Sequence, residues 1–222
     1  MNFHIITLFP DMFESYFADS MMARAQESGL ISVHLYNPRD VTKNKHKKVD
    51  DLPYGGGPGM VMTAEPILDI WDSITKRTFL EKIPLTKKRS FKTILLSPGG
   101  ETFTTGYAKQ LVAEQYSDVI FICGRYEGID ARVQQVTNAE LVSIGDYVLT
   151  GGELPAMVMI DSISRQIDGV LGNKKSLEEE RISSHEMYTR PATLVYKRKK
   201  YEVPSVLLSG DHKKIDAWRK EH

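Results

Sequence analysis

An α/β fold, a parallel sheet with helices on both faces, is what this sequence predicts, and three observations carry the prediction. Compact β-rich runs alternate with stretches of helical periodicity between residues 3 and 167. Glycine-rich turns follow several of those runs, as expected where a ligand meets the carboxyl ends of parallel strands. The 222 residues, 41% hydrophobic and 26% charged, suffice for one large domain with a real core and a small appendage.

Residues 3–9 (FHIITLF) form the first predicted strand, which Pro10 ends. Residues 11–28 read as one helix, with Asp11 as N-cap and Gly29 as its stop. Residues 31–35 alternate apolar with polar and return to strand. A basic loop then leads into VDDLPYGGGPGMVM at 49–62, and Pro66 suits the first turn of a helix carrying Ile67, Leu68, Ile70, Trp71 and Ile74. Residues 93–96 are a short strand closed by Ser97, Pro98, Gly99 and Gly100. A helix at 105–115 follows, then strands at 118–123 and 141–144. Glu153 opens a long apolar helix (ELPAMVMIDSISRQI) that tolerates Pro155 in its first turn. Residues 172–188 lose apolar periodicity and carry Glu178, Glu179 and Glu180, so they read as a linker. The remainder, including SGDHKKIDAWRK, reads as a small helical tail.

The composition excludes several classes. No apolar run is long enough to span a membrane, and the N-terminus lacks the pattern of a secretory signal. The single cysteine, Cys123, rules out an intrachain disulfide framework and fits a reducing cytoplasm; its apolar neighbours make it a core residue. Formal net charge is zero, so a nucleic-acid partner must be held by local patches. Three basic runs qualify: Lys43, Lys45, Lys47 and Lys48 around His46; Lys87, Lys88 and Arg89; and Lys197, Arg198, Lys199 and Lys200. Each also reads as an ordinary solvated loop.

The chemistry is expected at three glycine clusters: Ser97-Pro98-Gly99-Gly100, Gly124 to Gly128, and Gly145-Asp146-Tyr147 running on to Gly151-Gly152. Glycine lets the backbone approach a ligand, so three such turns at one sheet edge would make a pocket lined by main-chain groups. No GxGxxG follows the first strand and there is no GxxxxGK[ST], which weakens dinucleotide and P-loop readings. Zinc-ligand spacing and a GxSxG elbow are both missing from the sequence.

The segments VDDLPYGGGPGMVM, LLSPGG, ICGRYEGID, SIGDYVLTGGELPAMVMIDSISR, GVLGN, YTRP and VPSVLLSGDH resemble, in order and along nearly the whole chain, the bacterial tRNA (guanine-N1)-methyltransferases. The resemblance implies a SPOUT-class sheet threaded by a deep trefoil knot over residues 1–171, a linker at 172–188, and a small C-terminal tRNA-binding domain at 189–222. It implies S-adenosylmethionine as methyl donor, tRNA as substrate, a cytoplasmic homodimer, and transfer to N1 of the guanine 3′ of the anticodon. By position it implies that Gly124 and the run Ile144, Gly145, Asp146, Tyr147, Val148 and Leu149 hold the cofactor, with Leu95, Leu96, Ser97, Pro98, Tyr126, Glu127, Gly128, Gly151 and Gly152 lining the same cavity. Asp51, Tyr54, Gly56 and Arg125 are then expected to reach the tRNA. The helix containing Met157 and Met159 either supplies part of a twofold interface or is buried in the monomer.

Guanine N1 carries a proton at neutral pH, so its methylation needs a base and a positive group at O6. The resemblance gives Arg165 the contact with the purine oxygen. It aligns Glu180 with the family's general base, an aspartate followed by Ser and Phe; here Arg181 and Ile182 follow and the carboxylate arm is one methylene longer. Glu179 and Asp168 are the fallback bases. The family tail normally runs on past the position of Trp218, which puts tRNA affinity rather than cofactor binding in question. A divalent ion near the acidic groups stays open, as does a catalytically weak, RNA- or cofactor-binding homologue.

Overall fold

A computed structural model describes residues 1–76, 89–172 and 186–221, which fall into two compact units, Met1–Val170 and Leu171–His222. The first unit runs β1 (Asn2–Ile6), α1 (Asp11–Phe17), α2 (Ser20–Glu27), β2 (Ser32–Tyr36), α3 (Pro38–Val41), β3 (Asp50–Asp51), β4 (Val61–Met62), α4 (Ala64–Thr75), β5 (Phe91–Thr102), α5 (Thr105–Ala113), β6 (Asp118–Ile122), α6 (Arg132–Thr137), β7 (Glu140–Ser143) and α7 (Glu153–Gln166). The second contains β8 (Thr193–Tyr196), β9 (Lys199–Glu202), α8 (Ser205–Leu208) and α9 (His212–Glu221).

Five strands form the main sheet in the order β2-β1-β6-β5-β7, every pairing parallel. Strand alternation sends successive side chains to opposite faces. Phe3, Ile5, Val119, Phe121 and Cys123 therefore meet Phe13, Met22, Ala108, Met159, Ile160 and Ile163 in one core. Ile6, Ile120 and Ile122 meet Ile67, Ile70, Ile74 and Val133 in a second core on the other face. Burial on both faces explains the nearly unbroken apolar run of β6 (DVIFI).

Four expectations change. The helix expected over residues 11–28 is two: Asp19 turns extended, its side chain accepting from Ser20 N at 2.6 Å, and this cap restarts the chain as α2. Pro10, not Asp11, occupies the N-cap of α1, whereas Gly29 does take the left-handed stop position (φ 71°). The Ser97–Gly100 run does not close β5. The strand continues to Thr102, with the register against β7 slipping between Leu96 and Glu101. Pro98 has no N–H to give a ladder, so the segment bows out as a bulge and the strand resumes. Finally, the C-terminal unit is not simply helical. It opens with the antiparallel β8–β9 hairpin, whose turn places Lys197 and Arg198 at positive φ without the usual glycine or asparagine. The linker expected at 172–188 lies mostly outside the described residues.

The amino-end side of the sheet holds a buried polar cluster. Asp118, fully buried, accepts from Arg89 Nη2 at 2.5 Å, Arg89 Nε at 3.1 Å and Ser117 Oγ at 2.6 Å, and lies 2.9 Å from His4 Nε2. His4 Nδ1 in turn lies 3.0 Å from the Tyr36 hydroxyl. Burial pushes the Asp118 carboxyl up, but the hydrogen bonds from His4, Arg89 and Ser117 outweigh it and hold the group well below the usual carboxylate range. A depressed folded pKa contributes stability above the unfolded value, about 3.9, that is lost as pH falls through the folded one. Asp118→Asn should lose about 3–5 kcal/mol at neutral pH by leaving Arg89 without its buried partner. Its stability should also fall less steeply than wild type below about pH 4 in acid-unfolding titrations.

Candidate functional site

At the opposite, carboxyl side of the sheet, three segments enclose a cavity of about 430 Å³. The β5 bulge supplies Leu95, Leu96, Ser97 and Pro98; the turn after β6 supplies Gly124 to Ile129; the end of β7 and the turn beyond it supply Val142, Ser143, Ile144 and Tyr147 to Gly152, with Pro155. What brings them together is a return of the chain onto its own backbone. After β7 it crosses the end of β6, where Gly152 N donates to Gly124 O at 3.0 Å. A Cβ on Gly152 would stand 2.7 Å from Cys123 Cα, so no side chain fits there.

Of the sixteen positions expected at the cofactor, fourteen line this cavity and two do not: Gly145 and Asp146. Gly145 is covered by the Tyr147 ring, whose hydroxyl donates to Ile144 O at 3.3 Å, and Asp146 is exposed. The lining also takes in Ile129, Val142, Ser143, Thr150 and Pro155, which sequence reasoning did not name. Thr150 and Ser143 adjoin expected positions, so continuity along the chain was the available signal. Cys123 is fully buried behind the wall, and burial, with the nearby Glu153 charge, pushes its thiol up, so it is an inert core residue.

Arg125, expected to face tRNA, is held inward. Its Nε lies 2.9 Å from Glu153 Oε2, its Nη1 donates to Thr150 O at 3.2 Å, and its guanidinium sits 4.5 Å from the Phe9 ring centroid. Glu153, 1% exposed at the first turn of α7, also accepts from Thr7 Oγ1 at 2.8 Å. One ion pair thus joins the end of β1, the turn after β6 and the start of α7.

The expected tRNA loop adjoins the same wall. Asp51 ends β3, Tyr54 is fully exposed, and Gly56 lies beyond it at φ 79°. Glu127 N donates to Met60 O at 3.0 Å and Met62 N to Gly128 O at 2.9 Å, stitching the far side of this loop to the cavity turn. Gly59 adopts φ 80° over the Glu127 side chain, which a Cβ would meet at 2.5 Å. Arg165 is elsewhere. It sits in the last turn of α7, thirteen residues beyond Gly152, or ~20 Å along the helix. It does not line the cavity, and its buried Nε has no hydrogen-bond partner among the described residues. Asp168 follows, exposed, just past α7, while Glu179 and Glu180 lie outside the described residues. Met159 is fully buried and Met157 packs against the same core, so the exposed apolar residues of α7 are Leu154 and Val158. Among the described residues no three His, Cys, Asp or Glu side chains group to hold a metal, and no helix is long and apolar enough to cross a membrane.

The ion pair gives a direct test. Arg125→Met leaves Glu153 buried and uncompensated and should cost about 3–5 kcal/mol in urea denaturation. Arg125→Met/Glu153→Gln should cost less than the two single changes together, by about 0.5–3 kcal/mol. Strictly additive losses would show that the two groups do not interact.

The family model for tRNA (guanine-1)-methyltransferase TrmD matches residues 1–222. A tRNA (guanine-N(1)-)-methyltransferase of Clostridioides difficile (strain 630) is 49% identical over 225 residues, covering 100% of this chain and 91% of the relative. Proteins of the same name from Alkaliphilus metalliredigens and Bacillus cereus (strain B4264) are 48% and 45% identical, covering 100% and 99% of this chain and 86% and 85% of theirs. With a match over its whole length and relatives this similar, the chain belongs to the tRNA (guanine-1)-methyltransferase family.

Proposed function

We propose that this chain transfers a methyl group from S-adenosylmethionine to N1 of the guanine immediately 3′ of the anticodon in tRNA. The observation that carries the proposal is the cavity itself, enclosed by the three glycine-rich segments of a chain that belongs to a methyltransferase family. Its residues fit the methyl donor. Leu95, Pro98, Ile129, Ile144, Val148 and Leu149 offer apolar surface for a purine, and the glycine turns offer main-chain groups to read its edge. Arg125 and Glu153 pair with each other, and the other charged residue of the lining is Glu127, an acid, which suits a cationic ligand. When bound, S-adenosylmethionine supplies a methyl group on a positively charged sulfur and leaves as the neutral thioether. The return of the chain across β6 is consistent with the SPOUT knot, which we include in the proposal.

The remaining chemistry belongs to side chains away from this cavity. Arg165 lies ~20 Å along α7 from Gly152 and does not line the cavity of its own chain. A second protomer resolves this: Arg165 of the partner subunit would meet the guanine O6 and stabilise charge developing there. A twofold dimer is supported by an exposed apolar patch over α1 and α7, formed by Phe9, Met12, Tyr16, Leu154 and Val158, each 40–50% exposed. Tyr16 and Asp161 fasten the two helices by a hydroxyl-to-carboxylate bond of 2.5 Å. Glu180, which lies outside the described residues, would take the N1 proton, and the lone pair left on N1 would bond to the methyl carbon. Burying a flipped guanine between two subunits also excludes water from that transfer. The reading places the enzyme in the cytoplasm.

Methyl transfer from tritiated S-adenosylmethionine to unmodified tRNA tests the proposal. Arg165→Ala should lower kcat about 10²–10³-fold and leave the affinity for S-adenosylhomocysteine unchanged. Mixing Arg165→Ala subunits with Gly152→Val subunits should restore part of the activity, because a hybrid dimer retains one intact site. Binding of cofactor and tRNA without transfer by wild type would contradict the enzymatic reading.

A further inference from the structure

The two members of the Arg125–Glu153 ion pair stand differently toward the ligand space. Arg125 lines the cavity, and Glu153 does not. Among the described residues the charged groups of the lining are Arg125 and Glu127, one cation and one anion, so the wall by itself is neutral. Glu153, 1% exposed and 2.9 Å from Arg125, adds a negative charge behind it.

Local structure forces the pair together. Glu153 stands in the first turn of α7, where the free N–H groups of a helix start favour an acid. Its Oε1 accepts from Thr7 Oγ1 at 2.8 Å. Glu153 Oε2 and Arg125 Nε, though close, have no hydrogen-bond partner among the described residues, so opposite charge rather than an aligned N–H holds them. Gly151 makes room for this contact: a Cβ there would stand 2.4 Å from Arg125 Nε and 2.6 Å from Glu153 Oε2. The guanidinium also packs 4.5 Å from the Phe9 ring centroid, and Phe9 N donates to the same Thr7 Oγ1 at 3.0 Å. Thr7, Glu153, Arg125 and Phe9 thus close a ring, from which Arg125 Nη1 donates to Thr150 O in the cavity wall at 3.2 Å.

We infer that Glu153, by neutralising Arg125, sets the preference of the cavity for the cationic methyl donor over its neutral product. Donor and product differ by one methyl group and by the positive charge on sulfur. An uncompensated guanidinium in the wall would repel the sulfonium and leave the thioether unaffected, and a pocket shielded from water extends the reach of that charge. Glu153 does not line the cavity, so it is a positioning residue that acts through Arg125. Once the methyl group has gone, the spent ligand loses this attraction, which favours its release. The inference rests on S-adenosylmethionine being the donor.

Calorimetric titration of the full chain with S-adenosylmethionine and with S-adenosylhomocysteine tests it, the readout being the ratio of the two Kd values. Glu153→Gln keeps the side-chain volume and an acceptor for Thr7 but removes the charge. It should raise the Kd of the donor roughly 3- to 10-fold more than that of the product, the effect of one unit charge acting across a partly screened pocket. Arg125→Met/Glu153→Gln removes both charges, leaves the acid Glu127 as in wild type, and should restore the wild-type ratio. Thr7→Val loses a hydrogen bond but no charge and should leave the ratio unchanged. An unaltered ratio in Glu153→Gln would overturn the inference, and so would an equal shift in Thr7→Val, since position rather than charge would then be responsible. The double variant buries no unpaired charge, so it stays measurable if Glu153→Gln fails to fold; a ratio displaced toward the product there would also overturn the inference. Wild type that takes neither ligand would instead refute the methyl-donor reading, a result distinct from these.

Discussion

One backbone contact governs the arrangement of this molecule. After β7 the chain must come back over the end of β6, and it does so with Gly152 pressed against Cys123 and its N–H bonded to Gly124 O. Backbone against backbone is the closest approach a chain can make to itself, and it leaves room for nothing larger than hydrogen at that Cα. The same contact sets where α7 begins. It puts Glu153 under Arg125, brings Pro155 into the cavity wall and, by the fixed rise of the helix, carries Arg165 to the far end. The position of the cavity and that of Arg165 thus have one cause.

The sheet separates stability from chemistry. At the side where β1 and β6 begin, Asp118 collects His4, Arg89 and Ser117 in a satisfied, buried polar cluster. Where β6 ends, the chain gives way to glycine turns with little side chain and an open cavity. Parallel strands impose this polarity, because all their carboxyl ends lie on one side. The second unit is built differently: its hairpin exposes all its strand residues, which suits a surface that meets a large partner better than a core.

Much of this was legible in the residues because the local rules and the global fold agree. The unbroken apolar run of β6, the helix opened by Glu153 with Pro155 in its first turn, and the glycine turns after β6 and β7 all appear where periodicity and turn chemistry put them. The individual cavity positions came from the family resemblance, and fourteen of those sixteen line the wall. The failures have local causes. Ser97–Gly100 carries every mark of a strand terminator, yet neighbouring β7 lets β5 resume beyond its bulge. Asp19 breaks a helix that apolar spacing alone would continue. The hairpin of the second unit turns on lysine and arginine, residues that give no turn signal. The pairing of Arg125 with Glu153 was not foreseen, because the two are distant in sequence and meet only through the Gly152 contact. No spacing rule reveals a pairing of that kind.

The central claim is that the three segments around the cavity hold S-adenosylmethionine mainly through backbone. Amide hydrogen exchange followed by mass spectrometry, with and without the ligand, tests it residue range by residue range. The account predicts slowed exchange over residues 95–98, 124–129 and 142–152, with no change across the β8–β9 hairpin. Ligand binding that leaves these three ranges unprotected, or protection confined to other parts of the chain, would contradict it.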